Sequence, residues 1–292
     1  MGFLDAKKAL LGLLALVGTA FVWFWGRALR EDACKSVEAP SAYEVAVGVI
    51  TDFLDTLGIG SFATTMSLYK IRRTVPDRVI PGTLNVGHTL PTLAQAFIYV
   101  AIVRVDITTL ASMIASAVLG AGVGAGFVAR WPKRRVQMAL AAALFGAAAL
   151  LLAQELRFLP KGGDTLGLRG HGLAVGIIGN LALGSLMTIG IGLYAPCMIL
   201  VSLLGMSPAA AFPIMMGSCA FLMPVAGVRF MRASAYAPRA ALGLTIGGLP
   251  AVLAAALVVR SLPLEALRWL VLAVVILTAC AMARTAARIA PD

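Results

Sequence analysis

The chain has 292 residues, of which 60% are hydrophobic and only 13% charged; a soluble domain carries about 25% charged and about 45–50% apolar residues. This balance excludes a soluble globular enzyme, a disordered chain and a nucleic-acid-binding domain, and continuous apolar runs in place of alternating ones exclude an outer-membrane barrel. The formal net charge of +11 is then loop charge on a membrane protein, where basic residues set topology and attract anions.

The first apolar run, Ala9 to Trp25, follows Lys7 and Lys8 and ends in Phe21-Val22-Trp23-Phe24-Trp25. No small-x-small cleavage site follows it, so it reads as a membrane helix with an interfacial aromatic belt and not as a signal peptide. After a polar stretch from Arg27 to Pro40 come four apolar segments, at about 42–69, 80–103, 107–129 and 136–153. A Gly-rich polar linker separates them from four more, at about 173–204, 208–228, 240–259 and 264–283. The expected organisation is an N-terminal membrane helix and polar loop over 1–41, a first transmembrane repeat over 42–155, a polar linker over 156–172 and a second transmembrane repeat over 173–292. The fold class is an all-α integral membrane protein, and the expected location is the cell's inner membrane, with multiple passes.

The second set repeats the first. With a shift of 132 residues and no gaps, Gly58-Ile59-Gly60 falls on Gly190-Ile191-Gly192, Pro76 and Pro81 fall on Pro208 and Pro213, and eleven of the 37 positions from 54 to 90 are identical. Apolar composition alone gives roughly a third of that. Basic residues then decide the sense of the duplication. If all nine segments cross, Lys and Arg divide evenly between the two sides. If the GIG segment of each repeat enters and leaves on one side, each repeat has three spans, the second is inverted, and the basic residues divide two to one, as the positive-inside rule prefers. Making only the second GIG segment re-entrant gives nearly the same bias but breaks the repeat symmetry. The expected fold is an inverted repeat of about seven spanning helices plus two re-entrant or broken GIG segments. Lys70, Arg72, Arg73 and Arg78 face the cytoplasm together with Arg130, Lys133, Arg134 and Arg135. Lys7 and Lys8, taken alone, favour a cytoplasmic start instead.

Glycines at the GIG positions allow backbone geometry that β-branched residues cannot hold. A broken backbone at membrane depth must be buried or line a cavity. Two breaks at matching positions point to a central site near the midplane, where 58–61 and 190–194 approach each other. The competing explanation is that these glycines only let helices pack closely, as do Gly120, Gly122, Gly124 and Gly126.

A long apolar segment broken at a GIG, a helix after Pro-containing polar turns, the short link Val105-Asp106 and a Gly-Ala-Gly helix, with the GIG segment duplicated, together resemble the TauE/SafE family of sulfite exporters. The similarity covers about residues 42–287. Its most specific stretches are Thr51-Asp52-Phe53-Leu54-Asp55-Thr56-Leu57-Gly58-Ile59-Gly60-Ser61-Phe62 and Asn85-Val86-Gly87-His88. The resemblance implies transport of small oxyanions and sulfur-containing organic acids such as sulfite, thiosulfate or sulfoacetate. The chain departs from the family's usual GxGGG, with Gly60-Ser61-Phe62 and Gly192-Leu193-Tyr194.

Helix N-termini created by the two breaks carry partial positive charge and favour anions. The substrate-binding candidates there are Gly58, Gly60, Ser61, Asn85 and His88 in the first repeat and Gly190, Gly192, Tyr194, Ser218 and Cys219 in the second, with Thr64, Thr65, Thr89 and Cys197 nearby. Asp52 and Asp55 are the only acidic residues deep in an apolar run; they share a helix face, and their repeat partners are Gly184 and Met187. Intramembrane acids point to ion or proton coupling. Asp55 has a second reading, as a cap on the broken helix. His88 is a coupling candidate as a partner of one Asp, or else a hydrogen-bonded packing residue.

Cys34, Cys197, Cys219 and Cys280 have no CxxC spacing, the two histidines lie far apart, and there is no phosphate-binding loop or hydrolase elbow. No cofactor, metal site or enzymatic activity is expected. The expected function is a secondary transporter of a small anion, coupled to a proton or cation gradient, in the lipid bilayer, with a homo-oligomer as a further expectation. An anion channel is the first alternative and needs no coupling acids. A membrane subunit of a redox or enzyme complex is the second; it needs cofactor ligands or a nucleophile–base pair, which sparse His and scattered Cys do not supply.

Overall fold

A computed structural model describes residues 3–33, 38–128, 133–156, 158, 163–187, 192–261 and 263–288. Among these the chain is almost wholly helical. The helices are α1 (Phe3–Ala33), α2 (Ala42–Thr56), α3 (Ser61–Arg72), α4 (Ile80–Gly87), α5 (Thr89–Ile102), α6 (Ile107–Val128), α7 (Lys133–Glu155), α8 (Gly170–Met187), α9 (Tyr194–Leu203), α10 (Pro208–Arg232), α11 (Pro238–Ser261) and α12 (Leu264–Arg288). Five of the described helices are long and apolar enough to cross a membrane: Asp5–Arg30, Gly170–Met187, Pro208–Arg232, Pro238–Val259 and Trp269–Ala287. Large apolar side chains stand exposed along them, with Leu16 at 66%, Ile178 at 68% and Leu257 at 68%. Such faces suit lipid and would be a liability in water. The protein is an all-α membrane protein.

The chain forms two compact units. The first comprises Met1–Thr56, Gly60–Ile102 and Cys219–Arg260, and therefore holds α1 to α5, the end of α10 and α11. Its core runs through Val47, Tyr69, Val75, Ile80, Leu84, Ala240 and Leu244, with a second cluster of Phe21, Trp25, Val86, Met231, Tyr236 and Ala241. Ser41 and Glu44 start α2 as a capping box: the Ser41 N–H donates to Glu44 Oε2 (2.6 Å) and the Glu44 N–H to Ser41 Oγ (3.3 Å). The helix stops at the GIG, where Gly58 and Gly60 take φ of 97° and 79°, values that glycine adopts without strain. The chain then reverses. Tyr43 near the start of α2 donates to Leu68 O near the end of α3 (2.8 Å), and the Arg72 guanidinium lies 4.5 Å over the Tyr43 ring. Thus α2 and α3 form an antiparallel helical hairpin with its tip at Leu57–Gly60.

The second unit comprises Leu57–Ile59, Val103–Ser218 and Ser261–Asp292. Asp106 caps α6 by accepting from the Thr109 N–H (2.9 Å). α8 and α9 repeat the hairpin. A side chain at Gly176 would meet Leu204, and one at Gly179 would meet Leu200, so α9 runs back along α8. Within this unit Gly58 lies against Met198 of α9 and Met215 of α10.

Each unit is closed by the same kind of crossing. In the first, α2 lies on α11 so tightly that a Cβ on Gly48 would strike the Leu244 backbone and one on Gly247 the Val45 backbone. In the second, α8 lies on α6 with Gly120 against the Leu181 backbone and Gly184 against that of Ala117. Small residues permit this approach. A shift of 132 residues in the sequence carries the bounds of α2 onto α8 and of α6 onto α11.

Candidate functional site

Six of the polar residues that the sequence places in apolar segments collect just below the tip of the first hairpin. Asp52, Asp55 and Thr56 lie on one face of α2, as spacings of three and four require; Thr65 lies on α3, His88 between α4 and α5, and Gln95 on α5. All six side chains are buried. His88 is set in place by its neighbours. Pro91 has no N–H, so it cannot supply the helical bond to the Gly87 carbonyl. That carbonyl instead accepts from Thr245 Oγ1 of α11 at 2.6 Å.

His88 bridges the two arms of the hairpin. Its Nδ1 is 2.9 Å from Asp52 Oδ1 and its Nε2 is 2.9 Å from Thr65 Oγ1. An ionised carboxylate only accepts, which makes Nδ1 the donor; Nε2 then accepts from the Thr65 hydroxyl when the imidazole is neutral and donates to it when the ring is protonated. The other Asp52 oxygen, Oδ2, is buried without a hydrogen-bond partner. It faces Gly248 of α11, where a Cβ would overlap the carboxylate and touch Pro91.

Asp55 is held differently. Its Oδ1 accepts from the Ser61 N–H and its Oδ2 from Gln95 Nε2 at 3.0 Å. Gln95 Nε2 also donates to Thr56 Oγ1 (2.9 Å), whose hydroxyl donates to Asp52 O (2.7 Å). The first amide of α3 is therefore occupied by a carboxylate. Asp55 lies six residues before that amide, across the break at Gly58 and Gly60.

The structure brings Asp52, Asp55, Ser61 and His88 into one network and places the other candidates elsewhere. The Asn85 amide donates to Pro81 O within its own helix (2.9 Å). In the second unit Ser218 is joined to Asn180: Asn180 Nδ2 donates to Ser218 Oγ (3.2 Å) and to Met113 O (2.7 Å). Tyr194 is buried at the start of α9, just after Gly192, beside which a Cβ would find open space. Cys219 is buried on α10. Gly190 lies outside the described residues, as does Arg130 of the basic cluster. The sequence reading missed Gln95 and Thr56, although a glutamine inside an apolar run is itself a signal. It also missed Asn180 and Gly248. Among the described residues no cluster of three His, Cys, Asp or Glu side chains fits a metal ion.

No protein-family model, no curated protein and no solved structure matches the chain.

Proposed function

We propose that the chain is a proton-driven secondary transporter of small anions in the cell membrane, with sulfite, thiosulfate or a sulfonate as cargo, as its resemblance to the TauE/SafE family implies. The observation that carries this reading is the carboxylate–imidazole pair Asp52–His88, buried beside a helical hairpin whose tip is broken at Gly58 and Gly60. Buried ionisable pairs inside membrane segments are costly and mark ion or proton pathways. Histidine in direct contact with the acid favours a proton over an alkali cation, for which oxygen ligands would be expected.

The proposed topology is an inverted repeat with two re-entrant hairpins. Three groupings of chain ends support it. Lys7 Nζ donates to Ala101 O (2.7 Å), so the start of α1 and the end of α5 share one end of the first unit. At the other end Arg239 pairs with Glu44 (3.1 Å), near Tyr43 and Arg72. In the second unit Thr165 of the linker donates to Gly205 O after α9 (2.8 Å), while Leu166 O accepts from the Asp106 N–H (2.7 Å). If all nine segments crossed, Lys7 would lie on the opposite side from Ala101, and Thr165 on the opposite side from Gly205.

The test is uptake of radiolabelled thiosulfate and sulfite into proteoliposomes with and without an imposed pH gradient. Accumulation above equilibrium only with the gradient is expected. Flux of equal size without it would indicate a channel, and no flux of either anion would remove the transport reading.

A further inference from the structure

We propose that the Asp52–His88 pair alone holds the transported proton, that Asp55 is a fixed carboxylate serving only as the hairpin cap, and that the proton enters and leaves through Asp52 Oδ2 beneath the weak turn of α11. This rests on the proton-driven reading above and divides labour between two carboxylates that sequence alone leaves equivalent.

The division follows from what each oxygen touches. Both Asp55 oxygens accept from N–H donors, the Ser61 amide and Gln95 Nε2. Neither donor atom can accept, so a proton on Asp55 competes with one of these bonds: at Oδ1 with the cap on α3, at Oδ2 with the bond from Gln95. Asp52 has a bond to only one oxygen, from His88 Nδ1. Its Oδ2 is buried and unpartnered, and an unpaired charged oxygen in a low dielectric is costly. A proton added at Oδ2 neutralises that charge and breaks nothing. On the neutral imidazole, Nε2 is engaged with Thr65 Oγ1, so a proton placed there requires the hydroxyl to turn from donor to acceptor. The loaded state is therefore a neutral Asp52 carboxylic acid beside a neutral imidazole. On unloading, the Oδ2–H bond breaks, its electron pair stays on the carboxylate and the proton passes to water.

The nearest further charge to the pair is the Asp55 carboxylate. The electrostatic neighbours of Asp52 are His88, Asp55 on its own helix and Tyr69 from α3. α5 contributes Gln95, near Asp55, and Pro91, and α11 contributes Gly248.

The cover over Oδ2 is the least robust turn of α11. Pro250 sits inside that helix and cannot donate to the Ile246 carbonyl, and Gly247-Gly248 adds backbone freedom just before it. Bending at 246–250 uncovers Oδ2 while His88 still joins the two arms of the hairpin.

The experiment is a pH titration of the purified full-length protein in lipid, followed by infrared difference spectroscopy, which needs no substrate. On acidification the wild type should gain one C=O band of a buried protonated carboxyl. Asp52→Asn should lose the band, Asp55→Asn should keep it, and His88→Gln should move its midpoint by about one pH unit or more. A band that survives Asp52→Asn and vanishes in Asp55→Asn overturns the assignment, as does the absence of any titrating band in the wild type. If Asp52→Asn does not fold, the His88→Gln midpoint decides, and an unmoved midpoint overturns the proposal. In proteoliposomes Asp52→Asn should retain thiosulfate counterflow but lose its response to the pH gradient; an intact response overturns the proposal. Should the wild type carry no sulfite or thiosulfate while the band behaves as stated, the transport reading fails and the proton site stands.

Discussion

Thr245 shows how a single side chain compensates for a proline. Pro91 breaks the regular bonding of the helix that carries His88, and the Thr245 hydroxyl takes over the Gly87 carbonyl that Pro91 leaves without a donor. Thr245→Val keeps the shape and removes the donor, so it should cost about 1 kcal/mol, read as a lower thermal unfolding midpoint in detergent, and it should loosen His88. A variant as stable as wild type would mean that the carbonyl finds water instead. At this scale the sequence was informative where a residue type was out of place. Asp52, Asp55 and His88 are conspicuous because charge is rare in apolar runs, and Gln95 could have been found in the same way. Gly248 could not, because its role comes from a contact with Asp52 nearly two hundred positions away, and a glycine in a glycine-rich helix has no local mark of that contact.

The helical hairpins are the elements on which the site is built. The GIG glycines predict a break, and the break falls at 57–60. The direction of the returning arm is not in the local pattern, since apolar helices that continue and apolar helices that reverse have the same periodicity. In the structure the Tyr43–Leu68 and Arg72–Tyr43 contacts show that α3 returns along α2. In a background without native cysteines, Ala39→Cys and Thr74→Cys flank the first hairpin. Both should react with a membrane-impermeant maleimide from the same side. Labelling from opposite sides would make α2–α3 a through-going span.

Across the whole molecule, helices far apart in the sequence pair through small residues. α2 of the first repeat packs on α11 of the second, and α8 of the second packs on α6 of the first. Nothing in a linear pattern encodes that exchange, because both repeats have similar small-residue faces. The proposed inverted topology would put the short loop after α5 and its counterpart after α10 on opposite faces of the membrane. Arg104→Cys and Ser234→Cys should therefore label from opposite sides; labelling from one side would make the repeats parallel.

The exchange of partners also constrains the order in which the protein can be built. Gly48 and Leu244, which touch across the α2–α11 crossing, are roughly 200 residues apart, so at about 5–20 residues per second the ribosome needs about 10 to 40 s to supply the second after the first. During that interval α2 has no lid, and Asp52 lies exposed on a nascent hairpin already at the bilayer. The insertion machinery must shelter an acidic helix that cannot yet be buried.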